Sequence, residues 1–115
     1  MQSYKRIFIL VIILILPAFA YSKTWKIMPV GNSITAGEGS SSGNGYRDIL
    51  YNNLSNSGYD IEFVGPNGAP YNGFYQSGAK IDQFLPGGSL NITGQLNTYF
   101  PDIVLVMLGT NNTGK

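Results

Sequence analysis

The sequence predicts an α/β domain built on a parallel sheet, and three observations predict it. Short apolar runs at residues 25–30, 60–64 and 102–108 read as strands. Between them lie stretches whose apolar residues recur at helical spacing. Strands that alternate with helices need crossover connections, and crossovers make neighbouring strands parallel.

Taken in order, residues 1–20 (MQSYKRIFILVIILILPAFA) carry Lys5 and Arg6, then ten apolar residues at 7–16, Pro17 and the small-x-small triplet Ala18-Phe19-Ala20. That is the layout of a secretory signal peptide cleaved after Ala20. A membrane anchor needs about 20 apolar residues to cross the hydrocarbon, and this run is shorter and ends at a proline. The expected domain is therefore residues 21–115, outside the cell, with no membrane association after cleavage.

Residues 25–30 (WKIMPV) form an apolar run bounded by polar residues and a glycine, which reads as a buried strand. A Gly- and Ser-rich loop follows at 31–45. Tyr46, Ile49, Leu50 and Leu54 then fall at helical spacing, ended by Ser57-Gly58, where glycine takes the left-handed cap. Residues 60–64 (DIEFV) make the second strand, stopped by Gly65-Pro66. Residues 67–77 are rich in Gly, Asn, Tyr and Pro and read as an irregular surface loop. A helical turn is expected at 79–85, and a weaker helix at 90–100 on Ile92, Leu96, Tyr99 and Phe100. The strongest strand is 102–108 (DIVLVML), whose continuous apolar character predicts burial on both faces. With three strands this one stands at an edge, so the chain reads as the front half of an α/β domain.

The charge balance narrows the partners. Of seven basic and six acidic residues, loss of Lys5 and Arg6 leaves five against six, net −1. Nucleic acid and anionic membranes both require clustered Lys or Arg, and no such cluster exists. There is no cysteine, so neither a disulfide nor a thiolate contributes. There is also no histidine, the usual general base near neutral pH. No metal or other cofactor is expected.

In an open α/β sheet, ligands bind beyond the carboxyl ends of the strands. Gly31-Asn32-Ser33-Ile34-Thr35 occupies that place after the first strand. Ser33 there is either a nucleophile, its own N–H helping to hold an oxyanion, or a turn and capping residue. A lipase-type G-x-S-x-G elbow does not fit, because Thr35 stands at the last position. A dinucleotide loop fails at Ser42, where its third glycine belongs. Residues 109–115 match G-x-x-x-x-G-K, but the motif also needs a Ser or Thr after the lysine and a helix facing the phosphates, and so short a match arises readily by chance.

Read together, the blocks IMPVGNSITAGEG, GYRDILYNNL, GYDIEFVGPNG, YQSGAKIDQF and PDIVLVMLGTNN, in that order, resemble the SGNH or GDSL hydrolase family. The likeness is greatest to its secreted acetyl-xylan-esterase-like carbohydrate esterase branch, and it runs over residues 25–112. The resemblance implies a three-layer α/β/α, flavodoxin-like fold, here incomplete, with about the first three strands present. It implies Ser33 as nucleophile, the backbone N–H of Gly78 (in Gln76-Ser77-Gly78-Ala79) as one oxyanion donor, and the side-chain amide of Asn111 as another. The implied substrate is an acylated carbohydrate or other small ester, with acetyl as the acyl group. Oligomeric state is not implied.

The chain departs from the family in three places. Asn32 and Asn112 stand where the family has aspartates that organise loops, and asparagine keeps the acceptor oxygen while losing the charge. The family's Asp-x-x-His block has no counterpart in a chain without histidine, so inactivity of these residues alone is expected. Asp48, Asp60, Glu62, Asp82 and Asp102 read as structural or surface residues, and Glu38 lies near Ser33 in sequence without an assigned reach. The competing reading is a non-catalytic carbohydrate-binding remnant of the same fold, stacking sugars on exposed Tyr46, Tyr71, Phe74 and Tyr75. Asn53, Asn91 and Asn111 sit in glycosylation acceptor sequences, and an Asn111 that donates to an oxyanion carries no glycan. Secretory expression is expected to give a product whose intact mass matches residues 21–115; a mass that includes residues 1–20 would overturn the cleavage.

Overall fold

A computed structural model of the protein describes residues 22–113. The signal-peptide reading of residues 1–20 and the Gly114-Lys115 ending lie outside the described residues. The described residues fold into nine short elements. These are β1 (Trp25–Gly31), α1 (Ser33–Ala36), α2 (Arg47–Asn56), β2 (Ile61–Phe63), β3 (Phe74–Tyr75), α3 (Ile81–Phe84), α4 (Ile92–Tyr99), β4 (Ile103–Met107) and a 3-10 turn at Thr110–Asn112.

β1 is the middle of the sheet, and every other strand pairs with it in parallel. Ile27 pairs with both Phe63 of β2 and Ile103 of β4, and Val30 with both Phe74 of β3 and Val106 of β4. A strand has two edges, so β2 and β3 lie end to end along one edge of β1 and β4 runs along the other. The composition of β1 fits that place. Its last five residues are all buried, which demands apolar side chains on both faces.

The pleat sends alternate residues to opposite faces. On one face Ile27, with Ile61 and Phe63, packs against Leu50, Tyr51 and Leu54 of α2. On the other, Met28 and Val30 join Val64, Phe74, Ala79 and Phe84, with Ile92 and Tyr99 of α4 against them. Helices thus cover both faces, giving the expected three layers. Aromatic edges tighten each side: Tyr51 meets Phe63 edge-on at 5.5 Å, and Phe74 meets Phe84 at 5.4 Å.

Two sequence expectations are corrected. Residues 67–77 are not wholly an irregular surface loop. Asn67 and Gly73 pair in a small antiparallel bridge, and Phe74–Tyr75 forms a fourth strand with Phe74 in the core. Two residues are too few for any periodicity to announce them. The second correction concerns β4, which was expected to be buried on both faces. Val106 is 64% exposed, and Ile103, Val104 and Met107 are exposed too. Among the described residues β4 pairs along one edge only, and α2 leans over β1 and β2 and leaves this strand largely bare.

The amino end of β1 is tied to β4 by charge. Lys23 meets the Asp102 carboxylate at 2.8 Å, and the backbone N–H of Lys26 donates to the same group at 2.9 Å. The Lys23 contact, followed by the Lys26 N–H, holds the Asp102 carboxyl below its ordinary pKa. The Ser42 hydroxyl, with the N–H of Ile49 and the Asn44 amide, does the same for Asp48 at the start of α2. A carboxyl lowered in the folded state adds stability above its unfolded value, and that stability is lost as pH falls through the lowered value. The urea midpoint is therefore expected to fall as pH drops below about 4, and to fall less in Asp102→Asn. An equal fall in that variant would show that the tie adds nothing.

Candidate active site

Parallel strands bring their carboxyl ends to the same end of the sheet. Here the register does more, because Gly31 is paired with Tyr75 on one side and Met107 on the other. Three chain exits therefore stand abreast, with that of β1 in the centre. Ser33 lies two residues beyond Gly31, Gly78 three beyond Tyr75, and Asn111 four beyond Met107. The three residues singled out in the sequence leave the sheet side by side.

Ser33 opens α1. The preceding Asn32 is fully buried, and its Oδ1 accepts the Ile34 N–H at 3.0 Å, a side-chain N-cap. The N–H groups of Gly37 and Glu38 return to the Ser33 carbonyl at 2.9 and 3.1 Å, and Gly37 takes the left-handed turn (φ 97°) that ends the helix. Ser33 itself is half-buried, between core and solvent. Gly31 permits α1 to sit this close to the sheet. A β-carbon there would lie 2.7 Å from the Met107 carbonyl oxygen and collide with the Thr35 side chain. The capping oxygen of Asn32 does what an aspartate would do. Its amide nitrogen is buried without a partner among the described residues, a cost of about 1–3 kcal/mol.

Arg47 holds this turn in place. It is 1% exposed, and its guanidinium meets four backbone carbonyls. Nε donates to Thr35 O at 2.8 Å and Nη2 to Ala36 O at 3.2 Å, satisfying carbonyls that α1 leaves open at its end. Nη1 donates to Gly68 O at 3.4 Å and to Tyr71 O, and the group lies over the Tyr75 ring at 4.5 Å. One side chain so joins the Ser33 helix, the 67–71 loop and β3.

A second set of bonds joins the three exits. Gln76 N–H donates to Gly31 O at 3.1 Å, carrying the β1–β3 ladder one step beyond the strands. The Asn111 amide donates to Ala79 O at 3.0 Å, and the Ile81 N–H donates to Asn112 Oδ1, also at 3.0 Å. The Asn111 amide has two N–H groups, so one fixes its direction and the other stays available for a ligand. Ser77 Oγ donates to Glu38 Oε1, linking the β3 exit to the turn after Ser33. Gly78 itself is exposed, with φ 76°.

The aromatic residues expected to be exposed for sugar stacking are packed instead. Phe74 is 8% exposed, and Tyr71 stands edge-on to Tyr51 at 5.5 Å. Tyr75 lies beneath Arg47. Tyr46 reaches Thr35 Oγ1 at 3.2 Å, and burial pushes its phenol above the ordinary pKa. The acidic residues fall as expected, with Asp102 and Asp60 bonded to Lys23 and Thr24. The sequence reading missed the contributions of Arg47, Glu38 and Ser77. The burial of Arg47 had one trace, its place in the GYRDILYNNL block; the Glu38–Ser77 contact joins residues 39 apart and had none.

An apolar groove of about 370 Å³ is lined by Trp25, Leu50, Leu54, Tyr59, Ile103 and Leu105, along α2 and away from Ser33. Among the described residues no group of three or more Asp, Glu, His or Cys is placed to hold a metal, and no helix is long and apolar enough to cross a membrane.

No protein-family model matches the sequence. A multidomain esterase of Ruminococcus flavefaciens is 34% identical over 116 aligned positions, which take in 80% of this chain and 15% of that protein. Among solved structures, a Clostridium thermocellum family 3 carbohydrate esterase superposes with a TM-score of 0.71 at 38% identity, covering 78% of this chain and 46% of that one. The chain thus spans less than half the length of either relative. Both matches agree with the likeness drawn from the ordered sequence blocks: over most of its length the chain is similar to carbohydrate esterases of SGNH type, and it has their α/β fold.

Replacing Arg47 by Met is expected to lower unfolding stability by about 3 kcal/mol or more in urea denaturation, because buried carbonyls lose their donors. Lysine, lacking the planar fork, should restore little of it. A loss below about 1 kcal/mol would show that water replaces the guanidinium.

Proposed function

We propose that this chain is the nucleophile- and oxyanion-bearing part of a secreted carbohydrate esterase that removes acetyl or similar acyl groups. The observation that carries the reading is the convergence of the Ser33, Gly78 and Asn111 exits at the carboxyl end of the sheet. The esterase relatives supply the chemistry, and the ordered blocks supply the residue roles.

In this reading Ser33 Oγ attacks the ester carbonyl carbon. A bond forms between them and the carbonyl π pair moves to oxygen, giving a tetrahedral alkoxide. The N–H of Gly78, the remaining amide N–H of Asn111 and the N–H of Ser33 itself stabilise that alkoxide. Fixed donors need no solvent reorganisation, and each is worth about 3 kcal/mol in the transition state. Collapse breaks the bond to the sugar oxygen, which takes up a proton and leaves; water then cleaves the acyl-serine by the same route. The base that accepts the Ser33 proton has no candidate among these 115 residues, which include no histidine. Glu38, the nearest carboxylate in sequence, is engaged by Ser77. In this reading the base is the histidine of the Asp-x-x-His block that the family resemblance implies, which these residues do not include.

The alternative of a non-catalytic sugar binder is less well supported, since the rings it relied on are packed against the core or Arg47. The test is hydrolysis of p-nitrophenyl acetate and acetylated xylan by a version extended through a downstream Asp-x-x-His segment. Ser33→Ala is expected to lower kcat by at least about 10³-fold, and Asn111→Ala by about 10²–10³-fold. Activity that survives Ser33→Ala would sink the assignment.

A further inference from the structure

Gly78 is poorly placed to hold its own direction. It lies in the left-handed region (φ 76°), it is exposed, and nothing stands within 4 Å of where its β-carbon would be. Packing therefore does not aim its N–H. The direction of that N–H is set by the rotation of the Ser77–Gly78 peptide, and so by the backbone of Ser77. Ser77 is the residue whose side chain is tied down, its hydroxyl donating to Glu38 Oε1. A hydroxyl bonded to an ionised carboxylate makes a stronger bond than one to a neutral acceptor. Glu38 is in turn fixed to the turn that carries the nucleophile, since its own N–H donates to the Ser33 carbonyl at 3.1 Å. The neighbouring bonds, Gln76 to Gly31 and Ala79 to Gln76, hold the ends of the turn, and neither uses an atom of that peptide.

From this geometry we infer that Glu38 and Ser77 are a positioning pair, which aims the Gly78 N–H relative to Ser33. Its purpose rests on the esterase reading; its geometry does not. Glu38 is then neither a substitute base nor a catalytic residue, for its carboxylate is bonded to Ser77 and acts on the reaction only through Gly78.

The test uses the full chain labelled with ¹⁵N, reading backbone order parameters from relaxation. The Gly78 N–H is expected near the rigid value of about 0.85, falling below about 0.6 in Glu38→Ala and in Ser77→Ala. Ser77→Thr, which keeps the hydroxyl, is expected to restore the rigid value. Unchanged β1 amide signals will show that the variants fold. An unaltered Gly78 in both alanine variants would overturn the proposal. So would equal loosening of Gln76 and Ala79, since that is general loss of the turn. Ser33→Ala is expected to leave Gly78 rigid, so a failure of the esterase assignment by hydrolysis is read separately from a failure here.

Discussion

The structure depends on a buried cation that no carboxylate among the described residues pairs with. Arg47 is removed from water, and carbonyl oxygens and an aromatic face compensate it where a carboxylate would be usual. A carboxylate would have paired with it at one point. Carbonyls belonging to α1 and to the 67–71 loop make the guanidinium a junction between segments that share little other packing. Its planar, rigid fork suits such a role, because donors pointing in several fixed directions are satisfied together or not at all. The consequence reaches the site: the helix that carries Ser33 has only four residues, too few to be stable by itself, and takes its position from Arg47 and the Asn32 cap.

The second organising constraint is the alignment of strand ends. Register alone puts Gly31, Tyr75 and Met107 in one row, and short exits convert that row into a site. Side chains then cross between exits. The two asparagines of the β4 exit take opposite parts toward the segment after Gly78, Asn111 as donor to Ala79 and Asn112 as acceptor from Ile81. An aspartate at 112 would accept in the same way, so the departure from the family pattern at that position costs charge and keeps geometry.

Much of this was legible in the residues. The apolar runs at 25–30 and 60–64 announce β1 and β2, and the spacing of Leu50 and Leu54 announces α2, because burial imposes periodicity on segments of this length. What escaped was set by long-range contact. β3 has two residues and exists because β1 offers an unpaired edge beyond β2. The exposure of β4 depends on what covers it, which no run of aliphatic residues encodes. The burial of Phe74 and the packing of Tyr71 and Tyr75 were hidden by their Gly- and Asn-rich neighbours, since such composition suggests solvent whether or not Arg47 draws the loop inward. Site residues were legible as an ordered set of blocks, and the contacts among those blocks were not.

The first strand of the sheet is also its centre, and this bears on how the chain must fold. β1 has no local partner: its contacts reach forward to residues 61–63, 74–75 and 103–107. The Lys26 N–H bond to Asp102 closes a separation of 76 residues. A chain emerging from the ribosome would leave β1 unpaired until residues 61–63 had been made and its second edge unpaired until residues 103–107, and loop closure would have to precede any gain from the central ladder. Folding is thereby expected to be cooperative, because the central strand gains all its partners from distant residues.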